Sequence, residues 1–380
     1  MTTLAAESKL MLDLAARLAL RSAGYVEPNP MVGAVIVNDG RIIGMGHHRH
    51  FGGLHAEVEA LEDCRQRGED PRGATVYVTL EPCNHQGKQP PCTEALIAAR
   101  VAKVVCARED PNPIASGGAA RLRLAGIEVE FTDASINARR LSDPFVKLVT
   151  TGLPWVIVKW AQTIDGRVAT RAGESKWISC EASRRRVHRV RARVDAVLTG
   201  IGTVLADNPA LTARAGWYRR RVARRVIIDP DLEIGEDSLL VQTLDEAPLT
   251  VICSDEALAA GARKVSVLTA RGVEVVGMGP PSEIEVDAVL RMLVDKYHVS
   301  NVLVEAGPGL NGRLIDGGLA DELHVFVAPT VFADELAKAA ARGSLLERLS
   351  DARRYQLCSV RRVQDDVQLT YRRPTQVESA

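Results

Sequence analysis

The chain alternates short apolar runs with longer stretches in which apolar residues recur every three or four positions, the rhythm of a layered α/β protein. It opens on a helical pattern with Leu10, Leu14 and Leu18 spaced i, i+4, i+8, interrupted by Glu7 and Asp13. "MVGAVIVND" and "RIIGMGHH" then read as two strands of a hairpin joined at Asn38-Asp39-Gly40. "GGLHAEVEALEDC" predicts a helix with Val58 and Leu61 on its inward stripe, Gly52 and Gly53 letting the backbone turn into it. "ATVYVTLE", a helix from about Thr93, "AKVVCARED", a helix around Arg121 and "IEVEFT" continue the alternation, so a mixed sheet is expected. A helical segment from Ala134 to Val149 closes this half, and "TTGLPW" breaks the pattern near Gly152. The expected domains are therefore 1–152 and 153–380. The second half places strands at "WVIVKW", "DAVLTG", "RRVIIDP", "LTVICSD", "NVLVEAG" and "DELHVFVAP", with "YQLCSVRRVQDDVQLTY" as a closing hairpin.

A length of 380 residues exceeds what one core usually serves, in keeping with two domains. With 46% apolar and 25% charged residues, disordered, collagen-like and membrane classes are excluded. Lys plus Arg and Asp plus Glu both number 48, which removes any global attraction to nucleic acid or an anionic membrane. A local exception is the basic run Arg184, Arg185, Arg186, Arg189, Arg191 and Arg193, whose helical spacing suits either a solvated face or partial use on a phosphate. Seven scattered cysteines do not resemble a secreted disulfide framework and point to a reducing, cytoplasmic compartment. No run approaches the roughly 18 apolar residues of a membrane span.

His55 and Glu57 lie two positions apart, about 200° around a helix, so they cannot share a lateral face. Only a site beyond the helix start uses both. A second helix start carries Cys92, directly after Pro90-Pro91, and Cys83 precedes it in "LEPCNHQGKQPPC". One histidine and two thiolates leave a tetrahedral zinc one position for water, the arrangement of a catalytic centre. The positive helix ends favour the Cys92 thiolate and the Glu57 carboxylate, and leave Glu57 as proton carrier. His-x-Glu followed by Pro-Cys and a second Cys is the pattern of zinc deaminases. Two alternatives remain: a core histidine beside buried thiols, or a closed structural zinc with His85 as fourth ligand. His47, His48 and His50 read as loop histidines rather than ligands.

In the second half, "KWAQTIDGRVATRAGESKWIS" and "LTGIGTVLADNPALTAR" run from strands into Gly, Thr, Asp and Asn, where open α/β sheets place ligands. "VLVEAGPGLNGRLIDGG" is a buried strand, Glu305 and a Gly-rich loop entering a helix, which suits a phosphate or dinucleotide site or a tight turn.

The Pro-Cys, Asn-His, Gly-Lys and Pro-Pro-Cys succession, with "PNPMVGAVIV" and "EDPNP", resembles the bifunctional deaminase/reductase family of riboflavin biosynthesis. Eight residues separate the two cysteines, where common deaminases have two, and the likeness extends over nearly the whole chain. The resemblance implies a cytidine-deaminase-like three-layer α/β/α domain followed by a dihydrofolate-reductase-like α/β domain that binds NADPH. It implies hydrolytic removal of the 2-amino group of a diaminopyrimidinone ribosylamine phosphate, then reduction of the ribosyl group to ribityl. By resemblance, Asn29, Lys88, Asp110 and Asn112 hold the deaminase substrate; read alone they are turn residues beside proline and a solvated lysine. Ala161, Trp177, Thr203, Asp207 and the loop Gly307, Pro308, Gly309, Leu310, Asn311, Gly312 and Arg313 look like cofactor contacts. Ser175, Arg191, Leu211, Arg214 and Glu305 look like substrate contacts, Arg191 and Arg214 suiting the phosphate. "ASGG" after "EDPNPI" lacks the family's basic residue, and Pro230 replaces a small polar cofactor contact. The implied partner is a small pyrimidine phosphate, and the implied assembly a homodimer or homotetramer.

Two rivals are an RNA base deaminase with an RNA-binding appendage and a zinc-stabilised binding protein. Only 4% aromatic residues and balanced charge speak against the first. Metal removal separates the second, because it unfolds a structural site.

Overall fold

The computed structural model describes residues 3–214, 221–281 and 284–374. Met1 and Thr2, at the head of the expected first helix, and residues 375–380, at the end of the second expected domain, lie outside them. The chain forms two compact units, Met1–Leu153 and Pro154–Ala380.

The first unit runs α1 (Thr3–Ala19), β1 (Gly33–Asn38), β2 (Arg41–His47), α2 (Ala56–Gln66), β3 (Thr75–Val78), α3 (Cys92–Ala98), β4 (Lys103–Cys106), α4 (Gly118–Leu124), β5 (Glu128–Phe131), α5 (Ile136–Leu141) and α6 (Asp143–Thr151). Its sheet has the order β2-β1-β3-β4-β5, antiparallel through β2, β1 and β3 and parallel through β3, β4 and β5. The hairpin turns on Asp39 and Gly40, both at positive φ, as a two-residue turn matched to strand twist demands. Because successive residues of a strand face opposite sides, Ala34 and Ile36 pack with Ala60, Leu96 and Leu122, while Val35 and Val37 pack with Leu12 and Ala15. The result is a three-layer α/β/α unit.

Three details depart from the sequence reading. Leu10, expected in the apolar stripe of α1, is exposed, and Leu12, Ala15 and Ala16 are buried with Leu18 instead. The fully buried stripe of α2 is Ala56, Ala60 and Cys64, whereas Val58 and Leu61 are only partly buried. A side chain at Gly44 or Gly46 of β2 would meet the carbonyls of Ala60 or Ala56, so this helix lies close on the strand and only small residues fit between them. The single helix expected from Ala134 to Val149 is two, broken at Ser142, because Pro144 has no N–H to continue the ladder but suits a first turn.

The second unit runs β6 (Trp155–Gln162), β7 (Arg167–Ala169), α7 (Glu181–Arg191), β8 (Ala196–Gly200), α8 (Ile201–Asp207), β9 (Arg224–Ile228), α9 (Leu239–Gln242), β10 (Leu249–Cys253), α10 (Asp255–Ala260), α11 (Ala262–Ala270), β11 (Glu274–Gly277), α12 (Val286–Tyr297), β12 (Asn301–Val304), α13 (Pro308–Asp316), β13 (Glu322–Val327), β14 (Lys338–Ala339), β15 (Gln356–Val363) and β16 (Asp366–Arg372). Nine strands order as β11-β10-β9-β8-β12-β6-β13-β16-β15. The pairings from β11 to β13 are parallel, and the closing hairpin is antiparallel. Val304, the last residue of β12, lies opposite Val158 of β6 and Leu198 of β8, so Glu305 leaves β12 level with Lys159, which is still within β6. Among the described residues, no helix is long and apolar enough to cross a membrane.

Candidate active sites

In the first unit, His55 caps α2 in an extended conformation and Glu57 lies in its first turn, buried at 3% exposure. Both line one cavity of about 310 Å³, so the helix start serves two side chains that no lateral face would unite. Cys92 begins α3 and Cys83 lies in the loop after β3. The His55 Nδ1 is 3.4 Å from Cys83 Sγ and 3.3 Å from Cys92 Sγ, and the Cys92 N–H reaches Cys83 Sγ at 3.5 Å. Around a tetrahedral zinc with bonds of about 2.3 Å to sulfur and about 2.1 Å to nitrogen, ligand atoms lie about 3.5 Å apart. The three side chains fit that ion, and their ligand atoms all lie within 4.8 Å of one another. The Cys92 thiol and the His55 ring hold the Cys83 thiol well below its usual range. Burial pushes Glu57 up to about 7, and the Cys83 sulfur adds to the rise.

His85 lines the same cavity but is not in the ligand cluster, and its buried Nδ1 has no partner. His48 is buried too: its Nδ1–H donates to the Leu54 carbonyl at 2.9 Å, which leaves Nε2 to accept from Asn29 Nδ2 at 3.5 Å. Lys88 Nζ sits 4.1 Å from the centre of the Phe51 ring, and Asn29, Lys88, Asp110 and Asn112 all line the cavity. Asp110 and Asn112 also act as turn residues, accepting from the N–H of Asn112 at 2.9 Å and of Ile114 at 3.1 Å. Sequence reasoning missed Glu81, whose carboxylate accepts from the N–H of Asp110 at 3.1 Å and of Ala119 at 2.8 Å and so holds this wall. It also missed Phe145, a wall residue from α6 with no nearby motif to announce it.

The second unit holds a cleft of about 990 Å³ at the ends of β6, β8 and β12. Ala161, Ser175, Trp177, Arg191, Thr203, Asp207, Leu211, Arg214, Glu305 and residues 307–311 line it. Gly312 and Arg313 do not. The expected loop is already helix from Pro308, whose fixed φ suits the first turn, and the helix rotates these two residues away. Gly312 packs under the backbone of Arg342, and Arg313 Nη2 donates to the Ile284 carbonyl. Asp207 ends a helix, α8, and not a strand as expected. Pro230 is outside the lining, its carbonyl accepting from Ser254 N–H and Oγ–H, each at 2.9 Å.

Arg191 turns its fork onto Glu305, at 2.5 and 3.0 Å, where a phosphate contact was expected. Burial pushes the Glu305 carboxyl up, but the Arg191 guanidinium outweighs it and holds the group down at about 2. Lys159, also lining the cleft, lies 3.9 Å from Glu305, and burial lowers its ammonium below the usual lysine range. It sits inside an apolar run and carried no sequence signal. Buried Asn311 gives its amide N–H to the Ala340 carbonyl at 2.9 Å, leaving Oδ1 as an acceptor without a protein donor. A side chain at Gly309 would meet nothing within 4 Å, so the start of α13 keeps open space beside backbone N–H groups. These features suit a nucleotide cofactor.

Residues 154–369 match the family described as RibD C-terminal domain, and residues 6–108 the cytidine and deoxycytidylate deaminase zinc-binding region. The chain is 40% identical to the riboflavin biosynthesis protein RibD of Aquifex aeolicus, covering 87% of this chain and 89% of that one. It is 39% identical to RibD of Escherichia coli K12, covering 93% and 96%. A crystal structure from Thermotoga maritima, described as a diaminohydroxyphosphoribosylaminopyrimidine deaminase/5-amino-6-(5-phosphoribosylamino)uracil reductase, superposes with a TM-score of 0.81 at 35% identity, over 97% of this chain and 99% of that one.

Proposed function

Because the chain belongs to the RibD family of riboflavin-biosynthesis deaminase/reductases, we propose a residue-level division of its two reactions between the two units. The first unit hydrolyses the 2-amino group from 2,5-diamino-6-(5-phosphoribosylamino)pyrimidin-4(3H)-one. The second reduces the ribosyl group, giving 5-amino-6-(5-phosphoribitylamino)uracil.

His55, Cys83 and Cys92 hold zinc, which when bound supplies Lewis acidity toward water. Glu57 takes the proton of the attacking water on its carboxylate and returns it to the departing amine, which leaves as ammonia. Asn29, Lys88, Asp110 and Asn112 hold the pyrimidine phosphate against that carboxylate. In the second unit NADPH supplies the hydride, and Ala161, Trp177, Thr203, Asp207 and the start of α13 through Asn311 orient it. Ser175, Leu211, Arg214 and the Arg191–Glu305 pair bind the sugar end of the substrate. The observation that carries the reading is the meeting of His55, Cys83 and Cys92, with buried Glu57 of the same helix start in the wall of the adjoining cavity.

Incubation with the diaminopyrimidinone phosphate tests it, with ammonia and NADPH oxidation read separately. Ammonia without NADPH, and NADPH oxidation only once deamination has begun, is expected; NADPH oxidation without ammonia refutes the assignment. A cytoplasmic setting and a homodimer or homotetramer complete the proposal. Seven cysteines with no disulfide among the described residues support the first. The second rests on Leu357 and Val360, 53% and 59% exposed on the outermost strand β15. A monomer by sedimentation velocity removes the second point.

A further inference from the structure

One wall of the large cleft is the backbone that leaves α8, and three basic side chains each donate to one of its carbonyls. Lys176 Nζ reaches the Asp207 carbonyl at 2.8 Å, Arg225 Nη1 the Ala210 carbonyl at 3.3 Å, and Arg191 Nη1 the Thr212 carbonyl at 3.2 Å. The wall needs such support. Asn208 and Leu211 both sit at positive φ, 40° and 53°, which costs an ordinary side chain about 1 kcal/mol or more.

Lys176 and Arg191 line the cleft, so they serve whatever binds there. Arg225 does not. It lies in β9 with no exposure at all, beneath the wall. Its remaining hydrogen bonds go to Thr243 Oγ1 at 2.7 Å, to the Thr243 carbonyl at 2.9 Å and to the Ala247 carbonyl. Every one of these acceptors is a neutral oxygen. Burial lowers the guanidinium to about 10, which still leaves it charged at neutral pH. Glu246 and Asp245 offset part of the burial through space, yet a buried cation whose direct acceptors are all neutral is an expensive way to fill space, and an apolar residue of similar volume packs such a site at less cost. The planar fork does something an apolar residue cannot: it ties the Ala210 carbonyl to the end of α9 with fixed geometry.

We propose that Arg225 is a positioning residue for the reductase, holding Ala210 so that Leu211 closes the substrate end of the cleft, without itself touching substrate. The proposal rests on reading the second unit as the reductase. Its test is steady-state reduction by full-length Arg225→Gln and Arg225→Lys with the deaminated pyrimidine phosphate, alongside thermal melts and ammonia release from the same preparations. The expected result for Arg225→Gln is a KM for the pyrimidine phosphate raised about tenfold, with kcat changed less than about threefold and ammonia release unaltered. Arg225→Lys, with fewer donors, falls between. A lowered melting temperature with unchanged KM, or reduction and ammonia release falling together, overturns the proposal. Should Arg225→Gln not fold, Thr243→Val loosens the same fork from its far side and raises KM by a smaller factor; an unchanged KM there overturns it equally. If the unsubstituted chain oxidises no NADPH on this substrate, the reductase reading fails first and the proposal falls with it.

Discussion

The two cavities are built on opposite plans. The smaller gathers its chemistry from two helix starts, with His55 and Glu57 two residues apart and Cys83 and Cys92 nine apart. The larger draws on β6, β7, α7, the ends of β8 and α8, the residues that follow β12, the start of α13 and β14, from Lys159 to Ala340. A metal site needs a few ligand atoms at fixed short distances, and short loops at helix ends deliver them. A dinucleotide and a sugar phosphate need length, and only the aligned ends of parallel strands supply a surface that long.

The largest effect that sharpens this contrast is expected at Glu57. Glu57→Gln keeps the shape of the side chain but carries no proton, so ammonia release falls by about 10² to 10⁴. Zinc content and reduction of pre-deaminated substrate stay as they were; deamination near the original rate removes Glu57 from its role.

In the larger cleft, a comparable change acts first on stability. Glu305→Gln leaves Arg191 and Lys159 buried without their carboxylate, which costs about 3 kcal/mol in thermal or urea unfolding of the second unit. The pH dependence follows from the same pair. Glu305 is held at about 2, below the 4.5 of a free glutamate, so its contribution is complete above about pH 4.5 and is lost as pH falls toward 2. Glu322, held at about 2 against burial by Arg372 and His324, behaves alike, so Glu305→Gln removes only part of the acid sensitivity. A variant with the same slope as the parent between pH 4.5 and 2 contradicts this.

The smallest effect is expected at Asp207, which accepts from Ser175 Oγ at 3.2 Å. Asp207→Asn removes its charge and raises the KM for NADPH about tenfold, with ammonia release untouched. Loss of both activities means a fold defect instead.

The contrast also explains what was legible beforehand. His55, Glu57, Cys83 and Cys92 were readable because residue type, spacing and helix starts all agree, and the alternation of runs announced every long strand. Of the three strands missed, β7 and β14 span three and two residues, too short for a pattern, and β11 is an edge strand with no fully buried residue to mark it. Lys159 hides in an apolar run, and Phe145 reaches the smaller cavity only through tertiary packing of α6. Gly312 and Arg313 lie outside the cleft because the Gly-rich string is helix from Pro308, not the expected loop. The pairing of Arg191 with buried Glu305 was not legible, because the two lie 114 residues apart in the chain and meet only through the fold.

The central claim is that one chain carries two chemically independent sites, of which only the first depends on metal. Stripping zinc with a chelator and assaying each reaction on its own substrate tests it most directly. Ammonia release should drop to background and return with added zinc, while NADPH oxidation on pre-deaminated substrate continues unchanged and circular dichroism keeps the folded signal. Loss of both reactions, or of neither, contradicts the account.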